Sequence, residues 1–546
     1  MLNVVPLELF SSRLHWGDPE FSLSLRSVED IVKRGYCNIN VLTGKVTKPM
    51  GKRHEKIVHI GFVILPFALF AVACWMRWYT LDMPFDRDSY DEGVYWQSLR
   101  SLAQGHTLYW QIFSSQPPAF LLSIYPAYLI FGQSILAARI GIALLSLCGL
   151  LGVLFVGKVL QGNGGALLAL LLLVVSPLYL TESQTLQADA PSTALMVLAL
   201  GLAYLWWEHP TGLAGYALAF LTGTILALSI FSKLFGLADL VPIGLLVLAH
   251  FWRVRQEPAG KRLVHYGSVL TLIGALLLTC FLFILFFRGS LSPLWDQVIT
   301  FHTAARVYST STTGDNFRTL LLALKTPLGL FALYGIVVSL LWRDWRVLPL
   351  IAWFLVIFCL LWQQLPLLHH HLVTLVPPLV LLAMMGIGPL PAIHRSSRLR
   401  VYLGNSFAVI ALIVTIMYFV PIIVSTYQGT QQQANGIDTQ MSRRVIQDLD
   451  AVTRPDQLVI TDAQFLVAEA NRSTPPQLVD TSFVRIQSKY LSEQQLVQIA
   501  SQSNVRAVLL YTGRLHQMGG FYLWVSEHFR KVENYGNGRE LWSKID

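Results

Sequence analysis

Apolar residues fall in long blocks along most of this chain, and polar residues gather in short stretches between them. Eleven blocks reach or approach the length needed to cross ~30 Å of hydrocarbon as a helix: 57–78, 134–158, 165–182, 190–207, 213–232, 236–252, 266–287, 327–342, 347–363, 372–390 and 402–425. The run 117–131 is different. As a helix it would reach only about 22 Å, and Pro126 interrupts it, so it reads as a juxtamembrane or re-entrant helix. Before it, Tyr95, Leu99, Leu102 and Ala103 recur at helical spacing, a stripe suited to lying on the bilayer. From Tyr427 the pattern becomes that of a soluble domain. Residues 458–461 and 505–511 read as strands, and Ser492-Glu-Gln-Gln495 has the spacing of a capping box that opens a helix.

The expected fold is therefore a polytopic α-helical membrane protein of about eleven spans plus juxtamembrane helices, with a small C-terminal extracytoplasmic α/β domain. Its expected divisions are an N-terminal extension over 1–56, a transmembrane domain over 57–426 and the α/β domain over 427–546. No glycine-rich phosphate loop marks the last of these, and no chemistry is assigned to it.

Composition and charge refine the picture. Of 546 residues, 54% are hydrophobic and 13% charged, and the formal net charge is +9. That excess is explained by orientation, since Lys and Arg collect in cytoplasmic loops, and no nucleic-acid partner is implied. With the N-terminus inside and 117–131 not spanning, Lys158, Arg253, Arg255, Lys261, Arg262, Arg343, Arg346, Arg395, Arg398 and Arg400 all fall inside. A multi-pass plasma-membrane protein with a cytoplasmic N-terminus and an extracytoplasmic C-terminal domain follows. The five cysteines show no disulfide framework, and no cleavable signal peptide is visible ahead of the first span.

The same parity places Asp86-Arg87-Asp88-Ser89-Tyr90-Asp91-Glu92, Asp189, the loop 288–326 and His369-His370-His371 on one outer face. Carboxylates beside hydrocarbon are costly, which makes them functional candidates. Arg139 and Lys233 lie where a lipid phosphate would dock, unless they snorkel to the interface or Asp239 pairs with Lys233. Adjacent histidines point in different directions on a helix, so the His369–His371 triplet is not expected to form a metal site, although it could bind phosphate. His302, Arg306 and Arg318 in the loop 288–326 could touch acceptor or carrier, and read first as residues of an ordinary polar loop. Asn471-Arg472-Ser473 is a formal glycosylation sequon to which no function is attached.

Asp91-Glu92-Gly93-Val94-Tyr95, Gly105 and Tyr109, Gln116-Pro117-Pro118, Arg139, Ser176-Pro177 and Asp189 stand in an order that resembles glycosyltransferase families 39 and 83. These families include protein O-mannosyltransferases and aminoarabinose transferases. The resemblance covers roughly 57–390. It implies a GT-C fold, a polyprenyl-phosphate sugar donor, and transfer on the extracytoplasmic face with inversion at the anomeric carbon. It aligns Asp91 with the catalytic base and gives Glu92 and Asp189 the task of orienting sugar or acceptor. Asp86 and Asp88 remain competing candidates for the base. Aminoarabinose transferases carry a lysine where this chain has Gln116, so that phosphate contact does not transfer directly. No cofactor is expected, with a divalent metal left open. The expected partners are the donor, membrane lipids, and a lipid, glycan or protein acceptor. A transporter or flippase for a lipid-linked sugar is the alternative, and a non-catalytic envelope scaffold is a third.

Overall fold

The structure is a computed structural model and describes residues 52–88, 90–308, 311–387 and 398–545. Most of the expected N-terminal extension, together with Ser89 and Arg395, lies outside these residues.

The membrane part is a helical bundle whose elements follow the apolar blocks. Helix α1 is Lys52–Trp78, α2 Asp91–Ala103, α3 Pro118–Ile130, α4 Ile135–Val174, α5 Pro177–Glu182, α6 Asp189–Glu208 and α7 Gly212–Ser232. After a 3₁₀ turn at Leu234–Asp239 come α8 Leu240–Val254 and α9 Ala259–Phe286, then short helices through the loop that follows. Next are α10 Thr313–Leu324, α11 Pro327–Leu341 and α12 Leu348–Gln363. A 3₁₀ segment, His369–Leu375, leads into α13 Val376–Ile387, and α14 is Arg398–Ala434.

Eight of the described helices are long and apolar enough to cross a membrane. One of them, α4, is two spans rather than one. Its backbone leaves helical geometry at Gln161 and Gly162, where Gly162 has φ 69°. A Cβ added at Gly157 would lie 2.6 Å from the Gly165 carbonyl oxygen, whereas in a straight helix those residues would be about 12 Å apart. The chain therefore doubles back at Gly162, as the separate blocks 134–158 and 165–182 anticipated. The second half stops at Ser176-Pro177 instead of running on to 182. Counting α1 and α11 as short spans, the eleven apolar blocks are all accounted for. Helix α3 is a short apolar helix packed against α4 and α7, as expected of a juxtamembrane element. Helix α14 continues well past the expected end of its span at 425.

Helix α6 fixes the two ends of the bundle. Its 20 residues extend about 30 Å. At its start, the head, Asp189 meets Lys233. Near its other end, the foot, the Tyr204 hydroxyl donates to the Arg346 carbonyl at 2.9 Å and Arg253 reaches the Trp207 carbonyl at 3.4 Å. The acidic and basic clusters of the sequence are thus at opposite ends of one span.

Helix α2 departs from expectation. It does not lie on the bilayer, because both its faces are covered by protein. Tyr95 packs edge-on against Phe120 of α3, with ring centroids 4.8 Å apart. On the other face Gln97 donates to the Arg472 carbonyl at 3.1 Å, and Arg100 donates to Ser473 Oγ at 2.9 Å. Arg100 also donates to the side-chain oxygen of the sequon residue Asn471 at 2.6 Å.

Those partners belong to the C-terminal domain, which begins with helix α15, Ile437–Val452. Its sheet has the order β1-β2-β4-β3: β1 Leu458–Thr461 runs parallel to β2 Val505–Leu510, and β3 Phe529–Gly536 and β4 Arg539–Lys544 form an antiparallel hairpin. The expected strands and the Ser492–Gln495 capping box are present. The hairpin was not anticipated, although Asn537-Gly538, both at positive φ, is a strong hairpin-turn signal.

Candidate active site

The head of the bundle brings together the loop before α2, the start of α6, the end of α7 and the His369–Leu375 segment. The loop is shaped first by a buried ion pair. Arg139, on the first turns of α4, donates from Nη2 to Glu92 Oε2 at 2.6 Å and from Nε to Oε1 at 2.9 Å, with both side chains at 0% exposure. The remaining donors of Arg139 reach the carbonyls of Leu81, Met83 and Phe85. Glu92 also accepts from the Leu186 amide at 2.8 Å and the Arg87 amide at 2.6 Å. Burial alone would raise the Glu92 carboxyl, but Arg139 outweighs it and holds Glu92 below the ordinary glutamate range.

This corrects two expectations. Arg139 neither snorkels nor faces a lipid phosphate, since its guanidinium is spent on Glu92 and three carbonyls. Glu92 is likewise saturated, so it orients the loop rather than a sugar.

The next three acids differ sharply. Asp86 accepts from the Asp88 amide at 3.0 Å and the Gly93 amide at 3.4 Å. Burial, followed by the charge of Glu92, pushes it well above the ordinary aspartate range. Both of its described hydrogen bonds come from amides of its own loop and the start of α2, so it helps to shape that loop. Asp88 is bonded to Gln187 Nε2 and lies 3.5 Å from His370 Nδ1. Asp91 is half-buried and makes no ion pair among the described residues. The same Gln187 Nε2 donates to its Oδ2 at 3.0 Å. Burial, then the charge of Asp88, raises the Asp91 carboxyl to about 6, with His370 and Gln187 opposing the rise.

Across from this loop, Asp189 Oδ2 accepts from Lys233 Nζ at 2.6 Å and lies 3.8 Å from His370 Nε2. Lys233 keeps 11% of its side chain exposed, and its ammonium stands 5.3 Å from the Phe235 ring centroid. Asp239 is not its partner: it is wholly buried, and Lys233 pairs with Asp189 instead.

The three histidines separate. His369 is exposed, which takes it out of the site. His370 and His371 are buried with ring centroids 4.5 Å apart. They lie on a 3₁₀ segment rather than an α-helix. Donor atoms of Asp189, His370 and His371 all lie within 4.8 Å of one another, a set that could hold a divalent ion without His369. At Gln116 the hydrogen bonds come from the backbone carbonyl, which accepts from the hydroxyls of Tyr109 and Ser114. His302 is tied to the Ser115 carbonyl at 2.8 Å, and Arg306 to the Gln363 carbonyl at 3.1 Å.

Two residues of this head escaped the sequence reading. Gln187 gave no charge signal, yet its one amide nitrogen bridges Asp88 and Asp91. Asp480, in the C-terminal domain, accepts from the Tyr90 hydroxyl at 3.3 Å and lies within electrostatic reach of Asp91.

Comparison with known proteins bears on the family resemblance and the fold. Residues 101–291 match the family model of dolichyl-phosphate-mannose-protein mannosyltransferase, which bears out the resemblance read from the sequence. No curated protein sequence matches the chain. Among solved structures, ArnT from Cupriavidus metallidurans bound to undecaprenyl phosphate is similar with a TM-score of 0.60 at 16% identity, over 89% of this chain and 98% of that one. The apo form of the same protein gives 0.61 at 14% identity over the same shares. The archaeal oligosaccharyltransferase AglB from Archaeoglobus fulgidus, in complex with an inhibitory peptide and a dolichol-phosphate, gives 0.51 at 13% identity, over 88% of this chain and 74% of that one. The fold is the GT-C fold of these proteins.

Proposed function

We propose that this chain is an inverting glycosyltransferase that moves a sugar from a polyprenyl-phosphate carrier to an acceptor hydroxyl or other nucleophile at the head of the bundle. The observation that carries this reading is Asp91: a half-buried carboxylate raised to about 6 and joined through Gln187, Asp88 and His370 to the Asp189–Lys233 pair at the head of the bundle. The matched family model and the undecaprenyl phosphate bound to the similar ArnT structure support the same chemistry.

In this reaction the acceptor oxygen attacks the anomeric carbon from the side opposite the phosphate. The new C–O bond forms as the bond to the phosphate oxygen breaks, and polyprenyl phosphate departs with the electron pair. Phosphate is already a good leaving group, so what the protein adds is a base for the acceptor's proton. Asp91 takes that proton. Gln187 holds its carboxylate, and Lys233 and His370 supply positive charge for the leaving phosphate. Lys233 already pairs with Asp189, so this step needs no metal at that carboxylate. The basic residues at the foot support a cytoplasmic foot by the positive-inside tendency, with the head and the C-terminal domain on the extracytoplasmic side. A transporter would place its ionisable residues near the bilayer midplane, whereas this cluster sits at the head.

The test is mass spectrometry of lipids that co-purify with the Asp91→Asn protein, which should bind the donor without discharging it. A polyprenyl monophosphate carrying one sugar is the expected result and would name the donor. A diphosphate-linked oligosaccharide instead would overturn the monophosphate reading.

A further inference from the structure

Tyr90 stands directly before Asp91, at the N-cap position of α2, where it supplies no side-chain cap to the helix. Its bonds go elsewhere. The Thr481 amide donates to the Tyr90 hydroxyl oxygen at 2.7 Å, and that hydroxyl donates to Asp480 Oδ1 at 3.3 Å. The Arg514 guanidinium lies over the ring at 3.8 Å, a cation–π contact. Asp480 is itself fixed, accepting from the Ser482 amide at 2.8 Å. On the other side of Asp91, Gly93 packs so closely that a Cβ there would collide with the Phe465 backbone. The carboxylate is thus bracketed by two residues that both dock on the C-terminal domain, some 390 residues away in sequence.

We propose that Tyr90 is a positioning residue for Asp91, and that the C-terminal domain holds the base in place through Asp480, Thr481 and Arg514. This rests on the reading of Asp91 as the base. The domain is then a working wall of the site rather than an appendage. A base must stay within hydrogen-bond reach of the acceptor proton, and the bonds to Tyr90 from the C-terminal domain add to what the Gln187 bond, the Glu92 lock and the Asp86 bond to the Gly93 amide supply at the start of α2.

A second effect follows from charge. The groups facing Asp91 are Asp86 and Asp88 from its own loop, His370 from the 3₁₀ segment, the neutral Gln187, and Asp480 from the C-terminal domain. Asp480 opposes ionisation of Asp91, so the domain also tunes the base it positions.

The experiment uses the full chain in detergent and has two arms. In the first, dicyclohexylcarbodiimide, which labels protonated carboxyl groups, is applied across pH 4–8 (about that range) and Asp91 labelling is read by mass spectrometry. Wild type should show a midpoint near pH 6, and Asp480→Asn should shift it to more acid pH. This arm needs no substrate, so its outcome is separate from that of the glycosyltransferase reading. In the second arm, Tyr90→Phe keeps the ring beneath Arg514 and removes only the hydroxyl. It should lower kcat roughly 10- to 100-fold with the donor KM unchanged. Wild-type midpoints in Asp480→Asn together with wild-type kcat in Tyr90→Phe would overturn the proposal. Limited proteolysis identifies a variant whose domain has come loose, and Tyr90→Phe should match wild type there.

Discussion

Arg139 and Glu92 grip each other through two hydrogen bonds of 2.6 and 2.9 Å with no solvent exposure on either side chain. Because Arg139 also binds three carbonyls of the chain leading into the acidic loop, the pair acts as the peg on which that loop hangs. Removing one member leaves a buried charge and several carbonyls unpaired. Glu92→Gln and Arg139→Ala should each destabilise the protein by about 3–5 kcal/mol. Arg139→Lys should rescue little, because an ammonium has three donors against the five hydrogen bonds that Arg139 makes. Thermal unfolding in detergent checks this. A wild-type midpoint for Arg139→Ala would show that the pair is not structural.

The Asp91 carboxyl, raised to about 6 by burial and by Asp88, gives activity a definite pH sign. A general base works only when ionised. Turnover should therefore rise with pH through about 6 and be lost below it. Asp91→Asn should lower turnover by about 10²–10⁴-fold at every pH and abolish that limb. The pH–rate profile of wild type and variant is the check, and a limb that persists in Asp91→Asn would move the base to Asp86 or Asp88.

Much of this arrangement was legible in the sequence because charge beside hydrocarbon is rare. Asp91, Asp189, Lys233 and the histidine triplet all stood out against apolar runs, and the parity of the spans put them on one face. What could not be read was which charges would spend themselves on one another. Arg139 and a lipid phosphate look alike in a sequence, and only the fold shows that Glu92 has taken the guanidinium. The stripe on α2 was real, but a stripe does not say whether lipid or protein covers it. Gln187 and Asp480 were invisible for opposite reasons. The first carries no charge, and the second lies in a domain whose composition is ordinary.

Gly93 supplies a test of how tightly the C-terminal domain is held. With no side chain it lets the Phe465 backbone lie against α2, and Trp96 and Phe465 stack edge-on beside it at 5.3 Å. A methyl group there cannot be absorbed by a rotamer change, because what it meets is main chain. Gly93→Ala should push the domain off α2, costing about 1–3 kcal/mol as overpacking does, and faster limited proteolysis of the domain would register the release. Cleavage at the wild-type rate would mean that the polar bonds of Gln97 and Arg100 suffice to hold it.

Gln187 bridges Asp88 and Asp91 with one amide nitrogen, which has two hydrogens to give. A hydrogen bond to a carboxylate favours its charged form, so this bridge opposes the rise that burial and Asp88 impose on the Asp91 carboxyl. Replacing it with leucine of similar size removes both donors and leaves the carboxylates to repel each other. Gln187→Leu should therefore move the rising limb of the pH–rate profile to more alkaline pH, the reverse of the shift expected for Asp480→Asn. Activity should be impaired most below neutrality and recover as pH is raised. Loss of activity at all pH values alike would assign Gln187 a direct contact with the substrate instead. An unshifted limb would show that the bridge does not govern the base.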